Sequence, residues 1–282
     1  MPRPDADLRQ LHERLGRLSP PVDVRALPTH GFVVAFRVEL ERGARILPPG
    51  LALREVPGTG QGLVCMSGGE FPSALVGKLA LPAPPHQDLH CCAIIDHEHA
   101  GATVPAGYTL HYEASSRIVE LASGHLSKGL RRGPSRFERA GAGEDDAERW
   151  AVSCSSREPL CCMSFETRPL ATSWTAPETT VFGSARAASE FLLDLAGHVV
   201  HDYTRDRTSF RARDPRHCEA RFCRDFDFEF PLIKHLDEQF DLALELDCAL
   251  FISTRRPARV QAEQPRTHTA ESGDSAQLPA GC

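Results

Sequence analysis

Lys128 stands three and four residues before Arg131 and Arg132 in the run Ala-Ser-Gly-His-Leu-Ser-Lys-Gly-Leu-Arg-Arg, residues 122–132. A lysine crowded by other cations in an apolar site loses its proton near neutral pH and attacks a carbonyl carbon, giving a Schiff base. The bland alternative is an arginine-rich loop that happens to hold a lysine. Lysine is scarce throughout: of 32 Lys+Arg residues only Lys78, Lys128 and Lys234 are lysine.

Other chemistry-bearing groups are less complete. His97-Glu98-His99, near His90, Cys91 and Cys92, is the most metal-like cluster, because alternate residues of a strand share a face and two imidazoles so placed can reach one zinc. Asp96 to Gly101 also reads as a polar turn, and no second ligand pair stands at a standard spacing, so no metal is expected. His217-Cys218 with Cys223 is one arm of a zinc finger without the other. His198 and His201 fall near a predicted helix end, where they suit the macrodipole. Gly58-Thr59-Gly60-Gln61-Gly62 has no following Lys-Ser/Thr and no strand-loop-helix frame, so it predicts a hairpin rather than a phosphate cradle. No Gly-x-Ser-x-Gly elbow is present.

Elements must hold these groups. Phe32, Val34, Phe36, Val38 and Leu40 alternate with Val33, Ala35, Arg37 and Glu39, predicting a half-buried strand. Pro48-Pro49-Gly50 makes a turn into an extended segment from Leu51 to Glu55. Leu89 to Ile95 is a second strand. A third opens at Pro105-Ala106-Gly107, with Tyr108, Leu110 and Tyr112 expected on one face. Helices are predicted over Asp5 to Leu18, over Ser115 to Leu126, and after Ser184, with Phe191, Leu192, Leu195 and Val199 on the last one's core face. Gly133 to Glu148 reads as a long loop, and Arg149 to Ser155 with Leu160 to Thr167 as a hairpin. Phe222 to Phe230 and Phe240 to Ile252 read as two long alternating strands. If these pair, Asp225, Asp227, Glu229, Asp241, Glu245 and Asp247 crowd one face, where they must meet water, arginine or a cation.

The whole chain, 282 residues with 41% hydrophobic and 25% charged content, has the balance of a globular protein. A net charge of −6 argues against general nucleic-acid binding. No 18-residue apolar run predicts a membrane span, and the first residues lack the apolar core of a signal peptide, so a cytoplasmic location is expected. Ten cysteines are then reduced thiols. The adjacent pairs Cys91-Cys92 and Cys161-Cys162 read as buried strand residues pointing to opposite faces. From Pro257 onward only Val260 and Leu278 are sizeable aliphatics, and that tail is expected to be disordered.

Two segments resemble the acetoacetate decarboxylase-like superfamily. In the first, an alternating strand is followed by Ile46-Leu47-Pro48-Pro49-Gly50-Leu51, similar to the family's "LLPPGLE" turn. In the second, Gly101-Ala102-Thr103-Val104-Pro105 and the spacing of Gly124 and Gly129 resemble the stretch that leads to the family's active lysine. The resemblance implies a large antiparallel barrel around a small-molecule cavity. Family decarboxylases carry a stretch like A-x-G-R-E-x-W-G-[FY]-P-K-K, whose first lysine forms the Schiff base. Laid without gaps on Ala122 to Gly133, that position holds Arg132, the proline position Arg131, the glutamate position Leu126 and the tryptophan position Lys128. Arginine stays protonated and forms no imine, but its planar fork grips a carboxylate or phosphate.

The fold expected is mainly β (α+β), a large antiparallel, barrel-like domain with peripheral helices over residues 22–256. An N-terminal amphipathic helix and linker (1–21) precede it, and a loose tail (257–282) follows. The function expected is binding of a small anionic or carbonyl-bearing molecule in the barrel cavity. Arg132 is the anchor, Glu113 and His125 are further binding candidates, and no cofactor is required. The alternatives are a carbon–carbon lyase using Lys128 as the catalytic lysine, and a non-catalytic interaction protein. Neither nucleic acid nor membrane is an expected partner. Oligomeric state stays open, with a homo-oligomer among the expectations.

Overall fold

The computed structural model describes residues 17–18, 24–26, 30–72, 74–76, 81–83, 85–114, 125–126, 132–142, 148–156, 161–167, 179–202, 207–212 and 219–253, some of them through the backbone alone. In chain order the elements begin with β1 (Arg17–Leu18), β2 (Val24–Ala26), β3 (His30–Glu39) and α1 (Leu40–Gly43). There follow β4 (Ala52–Leu53), β5 (Gln61–Phe71), β6 (Ala74–Val76), β7 (Leu81–Ala83), β8 (His86–His99) and β9 (Ala102–Ala114). Next come β10 (His125–Leu126), β11 (Arg132–Ala142), β12 (Glu148–Ser156), β13 (Cys161–Thr167) and α2 (Ala185–Leu193). The last are β14 (Gly197–Asp202), β15 (Arg207–Ala212), β16 (Glu219–Phe222), β17 (Arg224–Glu229), α3 (Pro231–Phe240) and β18 (Glu245–Ser253).

Strands dominate, as the alternating patterns predict. A nine-stranded sheet runs in the order β15-β14-β9-β8-β5-β3-β18-β16, with β4 also on β8. Its pairings are antiparallel except for β14 against β9. A second sheet, β11-β12-β13-β17, has four strands, and β11 comes close to β8. Among the described residues the large sheet does not close on itself, and β15 and β16 are its edges.

The central strand β3 departs from expectation in one respect: both of its faces are buried, not one. Phe32, Val34, Phe36 and Val38 enter a core with Tyr108, Leu236 and Phe240, covered by α3. Val33 and Ala35 enter another with Cys65, Cys92, Leu250 and Phe191, covered by α2. Residues 33 and 35 are small enough to pass for surface positions in a sequence, but here a helix lies over them. The helix starts as Ser184 predicts, its side chain accepting from the Ala187 N–H at 3.1 Å. Cys91 and Cys92 point into the α3-side and α2-side cores respectively, as adjacent strand residues must.

Several boundaries move. Asp96 to His99 belongs to β8, and the turn is confined to Ala100 and Gly101, both at positive φ (51° and 81°), which suits a two-residue hairpin. The Gly58 to Gly62 run gives the expected turn, which ends at Gly60 before β5 and is closed by the Val56–Gln61 bridge. Residues 133–142, expected as loop, form β11 paired along β12, with Phe137 opposite Val152; the glycine and charge content hid a strand whose partner supplies the aliphatics. Arg17–Leu18 and His125–Leu126 are strands paired with each other, where helix ends were expected; residues 5–16 and 115–124 of those two helices lie outside the described set. The hairpin of β12 and β13 matches its prediction.

The two long C-terminal strands are also revised. The first breaks at Cys223, whose N–H donates to Ala249 O at 2.8 Å; β16 pairs with β18, and β17 crosses to β13 in the other sheet. The second starts later than expected, at Glu245, and the residue expected to open it, Phe240, ends a helix over residues 231–240. Pro231 opens α3, and Leu232, Ile233, Leu236 and Phe240 form its buried stripe. Asp241 and Ala243 both take positive φ, 51° and 54°, so Leu242 and Leu244 alternate through a turn and strand begins only at Glu245. The carboxylates therefore disperse. Glu245 pairs with Arg37 at 2.6 Å, Asp241 with Arg45 at 2.9 Å, and Asp247 is fully buried.

Candidate functional site

Lys128 lies outside the described residues. Arg132, Glu113 and His125 are described through their backbones: Arg132 opposes Ser156 in the four-stranded sheet, Glu113 opposes Leu89 in the large sheet, and His125 opposes Leu18 in a two-stranded ladder. Register alone does not bring the three together.

What the described residues do gather is a polar group on the α2 side of the large sheet, contributed by β8, β9 and β14. Its position depends on a β-bulge. Cys91 opposes His111 while Cys92 opposes Thr109, so Leu110 is an extra residue in β9. Tyr108 and Leu110 stay in the α3-side core, but Tyr112 is turned to the other face, opposite His90. Tyr112 therefore does not share a face with Tyr108 and Leu110 as the sequence predicts. The His90 and Tyr112 rings meet edge-on with centroids 6.0 Å apart.

His90 is held from β9 by Thr109, with 3.0 Å between Nε2 and Oγ1. Ser67 on β5 donates to the His90 carbonyl at 3.3 Å. His198 comes from β14, where it pairs in register with Gly107; it is a strand residue, not a helix-end one, as are Val199 and His201. The rings of His90 and His198 meet edge-on, 4.8 Å apart and 77° between planes. Gly107 leaves room for the approach, since a Cβ there would lie a tight 3.1 Å from His198 Nδ1 and in ordinary contact, 3.5 Å, with Cys92 Sγ. Thr109, Cys92 and Gly107 are buried, whereas His90, His198 and Tyr112 are half-buried. The group therefore sits where the packed core gives way to a more open surface, and it can donate, accept and titrate near neutral pH.

His97 and His99 do share a face, as expected, but both rings lie on Phe210 of β15, at 5.2 and 4.3 Å. Among the described residues no group of three or more His, Cys, Asp and Glu is arranged to hold a metal ion. Cys65, Cys91, Cys223 and Cys248 are buried free thiols, and burial pushes each well above the usual thiol range. They are expected to resist alkylation in the native protein at neutral pH and to react together on unfolding, which mass spectrometry of iodoacetamide-treated samples would measure. Rapid native labelling of any one of them would show that its cover opens. Thr109, Tyr112 and Gly107 escape a sequence reading of function because the bulge that aligns them leaves no residue signature. Among the described residues no helix is long and apolar enough to cross a membrane.

No family model and no curated protein matches the chain. Among solved structures it is similar to an acetoacetate decarboxylase from Legionella pneumophila subsp. pneumophila str. Philadelphia 1, with 12% identity, 83% of this chain and 84% of that one covered, and a TM-score of 0.49. It is also similar to an acetoacetate decarboxylase-like enzyme from Sphingomonas wittichii RW1 (10% identity, 79% and 86% covered, TM-score 0.48). A third similar chain is the enduracididine biosynthesis enzyme MppR with HEPES bound (15% identity, 83% and 84% covered, TM-score 0.43).

Proposed function

We propose that the chain binds a small anionic or carbonyl-bearing molecule against the β domain, with Arg132 as the anchor and Glu113 and His125 as further contacts. The observation that carries this reading is the group of buried Thr109 with half-buried His90, His198 and Tyr112 at the margin of the largely apolar α2-side core. Convergent polar groups at the margin of an apolar surface are the usual make-up of a small-molecule site. The resemblance of Ile46 to Leu51 and of Gly101 to Pro105 to the acetoacetate decarboxylase-like superfamily supports the same class of ligand. Arg132 at the aligned Schiff-base position favours binding over imine chemistry, because a guanidinium keeps its proton.

The test is borohydride reduction in the presence of a keto acid, which converts an imine into a stable amine adduct. No adduct is expected on Lys128. Arg132→Ala is expected to weaken keto-acid binding by about 1.5–3 kcal/mol, the scale of a hydrogen bond to a charged group, measured by calorimetry. A reduced adduct mapped to Lys128, lost in Lys128→Arg together with turnover, would make the chain a Schiff-base lyase instead.

A further inference from the structure

We propose that His90 and His198 hold one proton between them and present it to a carboxylate, with His198 as the ring that meets the ligand and His90 as its positioning partner. This rests on the small-molecule reading above and narrows it, from anionic or carbonyl-bearing ligands to carboxylates bound with uptake of a proton.

Three features of the geometry support it. The rings lie 4.8 Å apart at a half-buried place, so charging both sets two like charges side by side with reduced solvation. Two groups that interact in this way titrate as a pair, in two steps that belong to neither ring alone. His90 is oriented by Thr109, which is 5% exposed and fixed in the sheet, so its ring is the held member. His198 lies across the gap left by Gly107, where a Cβ would already meet its Nδ1 at a tight 3.1 Å. The neighbouring titratable or charged groups among the described residues are Tyr112 on β9, Cys92 on β8, and Arg211, which stands opposite His198 in register on β15, with His86 and Asp88 on the same side of β8 by strand alternation. The His86 ring is stacked on Phe71 at 5.0 Å. The negative charge of Asp88 and the positive charge of Arg211 act in opposite directions on the first proton, and the rings' mutual repulsion opposes the second.

A singly protonated pair attracts a carboxylate, and the bound anion in turn raises the pair's affinity for its proton. A neutral carbonyl compound provides no such coupling. Carboxylate binding should therefore be strongest below the pair's upper titration and fall as pH rises through it, approaching about tenfold per pH unit for one proton.

The experiment is a ring-nitrogen NMR titration of the histidines in the full chain, alone and with pyruvate or acetone as probe. Two rings with a shared two-step titration are expected, simplified to one step in His90→Gln and in His198→Gln. Pyruvate should move that titration upward, and acetone should leave it unchanged. Gly107→Val, whose methyl groups extend past the 3.1 Å contact that a Cβ alone would make with His198 Nδ1, should push the ring aside without altering its chemistry, uncouple the steps and weaken pyruvate at least tenfold at pH 6. Independent one-step titrations in the unaltered chain would overturn the inference. So would pyruvate binding that perturbs other resonances but leaves both rings unmoved, and in that case the small-molecule function would stand. If neither probe, nor any other small carboxylate or ketone in a panel, perturbs a resonance, the binding function itself falls and the proton-sharing pair falls with it.

Discussion

Asp247→Ala is expected to lower unfolding stability by roughly 1–4 kcal/mol, because it removes a buried acceptor from two half-buried donors, and a stranded donor costs about 1–3 kcal/mol when fully shielded from water. Asp247 is 0% exposed and sits at a bulge, since Leu246 opposes Phe36 and Cys248 opposes Ala35. Its carboxylate accepts from the Thr180 hydroxyl at 2.8 Å and from the Val181 N–H at 2.9 Å. Its backbone carbonyl accepts from the Thr179 hydroxyl at 2.9 Å, and Arg37 holds the Thr179 carbonyl at 2.8 Å. This short segment leads into Ser184 and α2, so the carboxylate fixes the entry of the helix that covers the α2-side core. Loss of the anchor should appear twice. The urea midpoint should drop, and Cys65, which lies under that cover, should become open to alkylation before global unfolding. Asp247→Asn keeps an acceptor for Val181 but turns a donor toward Thr180, so it should cost less than alanine. An alanine variant within 0.5 kcal/mol of the parent, roughly the scale of an ordinary surface change, would mean that the segment is held by something else.

The parts of the fold legible in the sequence are those with a local cause. Period-two alternation marks β3, Ser184 marks the start of α2, and the Gly58 to Gly62 run marks a tight turn. What the sequence hides is set by partners far along the chain. Whether Val33 faces water or a helix depends on residues 185–193, and nothing near position 33 records it. The α3 helix has a readable signature in Pro231 followed by apolar residues at 232, 233, 236 and 240, but two left-handed residues continue the alternation beyond it and imitate a strand. The candidate site is hidden for the same reason. His90 and His198 are more than a hundred residues apart, and they meet through a parallel pairing of β14 with β9 and a bulge at Leu110. Arg132 and Lys128 stand out by residue type, yet type does not give the direction of a side chain.

Phe32→Ala is expected to destabilise the chain by about 3–5 kcal/mol, the range for removing a buried aromatic ring. Phe32 is 1% exposed in the strand at the centre of the large sheet, directly opposite Gly68 on one side and Phe251 on the other. The ring occupies the space that a side chain at 68 would fill: a Cβ there would lie 2.7 Å from Phe32 Cε1 and 2.9 Å from the Asp88 carbonyl oxygen. Glycine lacks a side chain to pack, and the neighbouring aromatic covers its backbone instead. The two residues therefore form one packing unit, and their substitutions should not add. Gly68→Ala alone forces the ring aside and should cost about 1–3 kcal/mol, as overpacking does. Placed on Phe32→Ala, the same methyl meets no ring, only the backbone oxygen, and should cost less by an amount within the usual coupling range of about 0.5–3 kcal/mol. Gly31, next to Phe32, offers a control, since a Cβ there would lie 2.7 Å from the Gly68 carbonyl oxygen, a backbone atom that no change at Phe32 removes. Gly31→Ala should thus remain costly in both backgrounds. Urea unfolding of the four-member cycle at positions 32 and 68 measures the coupling directly, and strict additivity there would show that the ring does not rest on Gly68.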